Sequence, residues 1–180
     1  MARYIAFLRA INVGGHTVKM AALRQILESL GFSSVETFIA SGNVVFETEP
    51  QDIRALETLI AGRLREALGY EVATFIRSSA ELAEIAHYQP FRPGELDAAT
   101  ALNIAFLGEP LDEDAKQKVM ALQTDIDTFQ VHGREIYWLC RKRQSVSTFS
   151  NAVLEKTLRR KSTLRGVETI RKMAAKYTSP

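Results

Sequence analysis

At 180 residues and 46% apolar composition, the chain is long enough to bury one sizeable core or two smaller ones sharing a fold. No apolar run approaches the roughly 20 residues of a membrane span, because Arg3 and Arg9 break the first hydrophobic stretch, so a cytoplasmic protein with no membrane partner is expected. A lone Cys140 excludes an internal disulfide, and His16, His87 and His132 are scattered without zinc-ligand spacing; no metal and no cofactor are expected. The net charge of +2 conceals an imbalance: from Arg134 onward the chain carries a net +9, and the remainder carries −7. A basic terminal quarter on an acidic body fits an anionic partner as well as it fits two charged faces that solvate helices.

Residues 4–11 are rich in strand formers, and Met20, Leu23, Ile26, Leu27 and Leu30 then recur at helical spacing until Gly31 offers a stop. Residues 35–40 and 44–48 read as two strands joined by Ser41, Gly42 and Asn43, the residue types that close a hairpin. Pro50 suits the first turn of a helix whose stripe is Ile53, Leu56, Leu59, Ile60, Leu64 and Leu68, with Asp52 favouring its N-terminus and Gly69 ending it. Residues 71–77 supply a fourth strand. The order strand, helix, strand, strand, helix, strand is ferredoxin-like.

The order then recurs. Ser78 and Glu81 open a short helix with a capping-box pattern, and "HYQPFRPGELDAAT" reads as a connector. Residues 101–107 form a strand, 112–124 a helix, and two strands flank His132, Gly133 and Arg134. Phe149, Val153, Leu154 and Leu158 make a helical stripe, residues 162–164 a short closing strand, and Val167, Ile170, Met173, Ala174 and Tyr177 a final helix. "IAFL" stands at residues 5–8 and again at 104–107, and "VETFIASGNVVF" aligns without gaps on "IDTFQVHGREIY", matching Gly42 with Gly133. The expected architecture is α+β: two duplicated ferredoxin-like βαββαβ halves with antiparallel sheets, plus a C-terminal helix. The halves are residues 1–78 and 101–180, with a helix and connector over 79–100. Because residues 5–8 are apolar without alternation, that strand is expected to be buried on both faces.

"RAINVGG", "VKM", "IASGNVVFE" and "SNAVLEKTL" followed by "TLR" resemble the bacterial domain-of-unknown-function family 1697, over essentially the whole chain. The resemblance implies the duplicated fold and no established activity. It marks Arg9, Asn12, Gly14, Gly15, Lys19, Ser41, Gly42, Asn43, Asn151, Glu155, Lys156, Thr163 and Arg165 as carrying family motifs. This chain departs from the pattern where Ala10 replaces a usual glycine, and where Gly166 and Val167 replace an asparagine and a tryptophan.

In a ferredoxin-like half, the first strand-to-helix loop and the hairpin lie at one end of the sheet. Residues 12–17 are therefore expected near residues 41–43. Glycines let backbone approach a ligand, and a following helix offers unpaired N–H groups to an anion, with Arg9 and Lys19 adding charge. The same glycines also suit a plain turn, since neither GxGxxG nor GxxxxGK[ST] is present. The leading expectation is a binding module for a small phosphorylated or nucleotide-like anionic ligand. Its site would combine Arg9, Asn12, Gly14, Gly15, Lys19, Ser41, Gly42 and Asn43 with Asn151, Lys156 and Arg165 of the basic segment. The alternative is nucleic-acid binding, with Tyr137 and Trp138 next to Arg141, Lys142 and Arg143 as aromatic and basic neighbours. An enzyme is a further alternative, although Cys140 sits in an apolar strand and no nucleophile has a base at a recognisable spacing.

Overall fold

The computed structural model describes residues 1–12 and 14–178, apart from the side chain of Ser41. The chain divides into two compact units, one comprising Met1–Ile85 with Lys172–Pro180 and the other Ala86–Arg171.

The first unit contains β1 (Ala2–Leu8), α1 (Met20–Glu28), β2 (Ser33–Phe38), β3 (Ala40–Thr48), α2 (Ile53–Leu68) and β4 (Thr74–Ser78), followed by α3 (Ser79–His87). Its four strands pair antiparallel in the order β2-β3-β1-β4, the ferredoxin-like arrangement. Side chains alternate across the strands, so Ala6, Leu8, Val44, Phe46 and Ile76 share one face and pack with Leu23, Leu27, Leu56, Ile60 and Leu64 of the helices. Ile5, Phe7, Val45, Phe75 and Arg77 lie on the other face and are buried too, as the unalternating run in β1 predicts. Asp52 caps α2 by accepting the Ala55 N–H at 2.9 Å, and Gly69 closes it with φ of 82°. Pro50 therefore lies ahead of the cap and outside the first turn. The Ser78–Glu81 capping box forms in both directions, at 2.8 and 3.1 Å.

The second unit repeats the pattern with β5 (Ala101–Phe106), α5 (Glu113–Met120), β6 (Asp127–His132), β7 (Glu135–Cys140), α6 (Asn151–Leu158) and β8 (Thr163–Gly166), in sheet order β6-β7-β5-β8. The connector holds one more helix, α4 (Pro93–Asp97), with Pro93 at its first turn and the Arg92 N–H bonded to Glu95. Ala105, Leu107, Val119, Phe129, Ile136, Trp138 and Leu154 belong to its core. α7 (Val167–Tyr177) follows β8 and ends the described chain.

Register makes the repeat explicit and corrects one detail of it. Ile5 lies opposite Val45 and Arg77; Ile104 lies opposite Tyr137 and Arg165. Anchored on the two "IAFL" segments, Val45 therefore answers to Tyr137, and the ungapped alignment is displaced by one residue in these strands. The matched glycines are not equivalent: Gly133 sits in the β6–β7 turn with φ of 59°, while Gly42 lies inside β3. The same anchoring pairs Arg77 with Arg165, a correspondence that the sequence alignment does not reach.

Candidate functional site

β1 ends because the chain turns at Ala10, whose φ of 53° is left-handed. That is the position where the family resemblance places glycine, the residue that adopts this conformation without a Cβ penalty. Gly14 and Gly15 follow with φ of 63° and 82°, and the space around them is open, so backbone conformation is what selects glycine there. The loop is held from inside. Asn12 Oδ1 accepts the Val18 N–H at 2.8 Å, Tyr70 donates its hydroxyl to the Ile11 carbonyl at 2.7 Å, and the His16 ring stacks on Tyr70 at 4.0 Å. The Arg9 N–H pairs with the Ala73 carbonyl at 2.9 Å.

α1 starts directly behind this loop with exposed Lys19 at its N-cap. The Lys19 side chain makes no capping bond, and the first turn has no acid. By contrast Asp52, Asp112 and Ser150 cap α2, α5 and α6 through their side chains. The positive end of the α1 dipole thus faces the rim without a carboxylate.

The other wall of the rim is the β2–β3 connection. Phe7 lies opposite Asn43, and Thr37 Oγ1 bonds Met20 Sδ at 3.2 Å, so the loop, the hairpin and the start of α1 share one end of the sheet as the topology predicts. The turn itself is not where the sequence suggests. It falls at Ile39, with φ of 63° and 64% exposure, and residues 41–43 belong to β3. A β-branched residue in the left-handed region is a strained choice that turn propensities do not predict. Asn43 is buried and donates from Nδ2 to the Phe38 carbonyl at 3.1 Å, which braces this tight turn. Asn12 thus serves the loop and Asn43 the hairpin. The Ser41 side chain lies outside the described residues.

Asn151, Lys156 and Arg165 belong to the second unit. Asn151 and Glu155 project from the same side of α6 and clamp Ser162. Asn151 donates to the Ser162 carbonyl at 2.9 Å and accepts the Ser162 hydroxyl at 2.6 Å, while Glu155 accepts the Ser162 N–H at 2.9 Å. This part of the "SNAVLEKTL" motif therefore fastens α6 to the entry of β8. Lys156 is exposed on the helix. Arg165 donates to Thr163 Oγ1 at 2.7 Å and to the Leu164 carbonyl at 2.8 Å, and burial pushes its pKa down to about 10, which leaves it cationic at neutral pH.

The aromatic platform expected for stacking bases is absent from β7: Tyr137 and Trp138 are both buried. Trp138 instead donates its indole N–H to Asp127 at 2.8 Å, and Tyr137 packs beneath Tyr88 at 5.2 Å. Cys140 is buried and bonds the Lys142 carbonyl at 2.9 Å, and desolvation raises its thiol pKa, the opposite of a nucleophile's tuning. Among the described residues no group of three or more His, Cys, Asp and Glu side chains is placed to hold a metal ion, and no helix is long and apolar enough to cross a membrane.

Two networks escape sequence reasoning. Glu36 of β2 accepts from Lys176 at 2.9 Å and from the Tyr177 hydroxyl, which ties the end of α7 to the first sheet; Arg3 adds a bond to the Tyr177 carbonyl at 3.0 Å. In the second unit buried Asp127 gathers Trp138, Ser147 and Thr124. The available signal was the period-two spacing of Asp127 and Phe129, which puts the acid on the same buried face as the aromatic.

No curated protein matches the chain. Among solved structures, a conserved bacterial protein of Streptococcus pneumoniae, SP0830, superposes with a TM-score of 0.78 at 25% identity, covering 99% of each chain. Residues 1–137 match the family described as "Protein of unknown function (DUF1697)", a span that takes in the glycine loop, the hairpin and most of the second sheet, and this chain is a member of that family.

Proposed function

We propose that the first unit is a cytoplasmic binding module for a small phosphorylated or nucleotide-like anion, held at the rim between the residue 9–19 loop and the β2–β3 turn. The observation that carries this reading is the start of α1. It has no side-chain cap and no acid in its first turn, it has Lys19 at the cap, and it stands behind two left-handed glycines. Backbone N–H groups at such a terminus suit an anion, and Arg9 at the strand end supplies a second cation. The strained conformations of Ala10 and Ile39 lie at the same rim, where strain concentrates when a site must be pre-shaped. The equivalent helix in the second unit supports the contrast, because α5 is capped by Asp112 and opens with Glu113 and Asp114. Nucleic-acid binding has less support, since both aromatics proposed for stacking are buried.

The test is thermal stabilisation by a panel of nucleotides and phosphorylated metabolites. A ligand present at a hundred times its Kd stabilises by about 2.7 kcal/mol. Lys19→Ala, at an exposed position, should abolish the shift while leaving the unliganded melting temperature within a degree or two of the parent, on the order expected for a surface substitution, and Arg9→Ala should abolish it as well. No stabilisation by any phosphorylated compound, or a shift that both variants retain, refutes the reading.

A further inference from the structure

Both units carry a cleft at the opposite end of the sheet, where the first strand begins and the last strand hands over to a helix; it measures about 450 Å³ in the first unit and about 470 Å³ in the second. The register shows that the clefts are equivalent. Tyr4 lies opposite Ser78 as Asn103 lies opposite Gly166, and Arg3 lies opposite Glu47 as Leu102 lies opposite Leu139. In each unit strand pairing stops there, which leaves the start of the first strand as a bare edge along the cleft.

Their chemistry differs. In the first unit protein groups satisfy the cleft: Arg3 pairs with Glu47 at 2.7 Å and donates to the Tyr177 carbonyl, and the Tyr4 hydroxyl accepts the Gln51 N–H at 3.1 Å. In the second unit the ion pair is replaced by Leu102 and Leu139, and the tyrosine by Asn103, whose Nδ2 is buried with no hydrogen-bond partner. An orphaned buried donor costs on the order of 1–3 kcal/mol, so native proteins rarely keep one that nothing will use. Gly166 leaves the Asn103 amide uncrowded, since even an added Cβ would stand 3.8 Å from its oxygen. A half-turn about the last side-chain bond exchanges the two amide ends, so the residue can offer its donor to the cleft. At the mouth Arg171 pairs with Glu168 at 2.9 Å, with both side chains well exposed. Such a pair contributes little, and Arg171 can exchange its partner for another carboxylate.

Apolar Leu96, Leu102 and Val167 together with the Asn103 and Gln144 amides and a cation at the mouth are the make-up of a small-molecule site. We propose that the second-unit cleft binds a small amphipathic carboxylate, with its hydrocarbon body against Leu96, Leu102 and Val167 and its carboxylate bonded by Asn103 and Arg171. The site lies in the second unit, and the proposal stands whether or not the first-unit rim binds a phosphate.

The test uses the full chain, isotope-labelled, titrated with hexanoate and benzoate and, as neutral controls, 1-hexanol and benzyl alcohol. The carboxylates should give saturable amide shifts at residues 96, 99–103, 139, 144 and 166–171, with the alcohols at least about tenfold weaker, the effect of losing one charged hydrogen bond. Arg171→Met, at an exposed position, should weaken hexanoate by a similar factor. The double variant Leu102→Arg with Leu139→Glu, which copies the first unit's ion pair, should abolish binding. No saturable shifts, shifts elsewhere in the chain, or hexanoate affinity unchanged in Arg171→Met overturns the proposal, and this outcome does not depend on the double variant folding.

Discussion

Asp127 is where the second unit's fold is most exposed to a single substitution. Its carboxyl group is buried and accepts the Trp138 indole N–H at 2.8 Å, the Ser147 hydroxyl at 2.9 Å and the Thr124 hydroxyl at 2.8 Å. Asp127→Ala leaves the buried indole donor without an acceptor, at a cost of about 1–3 kcal/mol, and removes two hydroxyl bonds worth about 1 kcal/mol each net. Thr124 and Ser147 can turn to water, so the total is about 3–5 kcal/mol. Asp127→Asn keeps an oxygen for Trp138 but sets an NH₂ against Thr124. The Thr124 oxygen already accepts the Ile126 and Asp127 N–H groups, at 3.2 and 3.0 Å, so its hydroxyl can only donate. One bond is lost and two donors oppose each other, at about 1–2 kcal/mol. Trp138 is the chain's single tryptophan, so its emission during urea unfolding reads this unit directly. If Asp127→Ala costs less than about 1 kcal/mol, or if the Asn variant costs as much as the Ala variant, the network does not hold the fold as argued.

Other consequences can be checked with simpler assays. Ile39 is exposed and left-handed, so Ile39→Gly should stabilise the first unit by about 1 kcal/mol despite the entropy glycine adds to the unfolded chain; a loss of stability in urea would show that the turn is not strained. The Lys176 and Tyr177 hydrogen bonds hold the Glu36 carboxyl below its usual value of 4.5, and Arg3 with Ser34 does the same for Glu47. As pH falls through 4.5 the unfolded chain takes up protons that these two groups still refuse, so stability drops, and the loss is complete only below their folded values. Glu36→Gln and Glu47→Gln should each flatten the acid limb of a plot of unfolding midpoint against pH, by a modest amount because both pairs are partly exposed to solvent; an unaltered limb would refute the assignment.

The elements legible in the sequence are those set by local chemistry. Gly69 and Asp52 bracket α2, Ser78 with Glu81 starts α3, and the unalternating "IAFL" announces a strand buried on both faces. The β2–β3 turn was illegible because propensity points to Ser41-Gly42-Asn43, while the structure turns at Ile39 and uses Asn43 as a brace. Tertiary context overrode turn chemistry there. Among candidate site residues, those of the loop were visible as glycines and cations in one short stretch. Asn151 was visible only as a motif, and the structure adds that it bonds Ser162 at the entry of β8. Asn103, Asp127 and Arg77 were missed because their importance depends on cross-strand register, which a single unaligned sequence does not encode.

Register also shows where the two copies have diverged. The strand order and an apolar helix-facing core repeat, as do the arginines opposite Ile5 and Ile104, while individual side chains differ within the sheets, Tyr137 answering to Val45 and Thr163 to Phe75. Differences in charge and polarity stand at both ends of each sheet. At the loop end the first unit has glycines and an uncapped helix, while the second has an aspartate cap and two acids that would repel an anion. At the cleft end the first unit closes its polar groups on Arg3, Glu47 and Tyr177, while the second leaves leucines and an unpartnered amide. The two copies thus differ in the chemistry of both ends: glycines and an uncapped helix against acids at the loop end, an ion pair against leucines and an amide in clefts of similar size at the other. The anion titration reads the loop end of the first unit and the carboxylate titration the cleft end of the second, so the two, run on one protein, test the two ends independently.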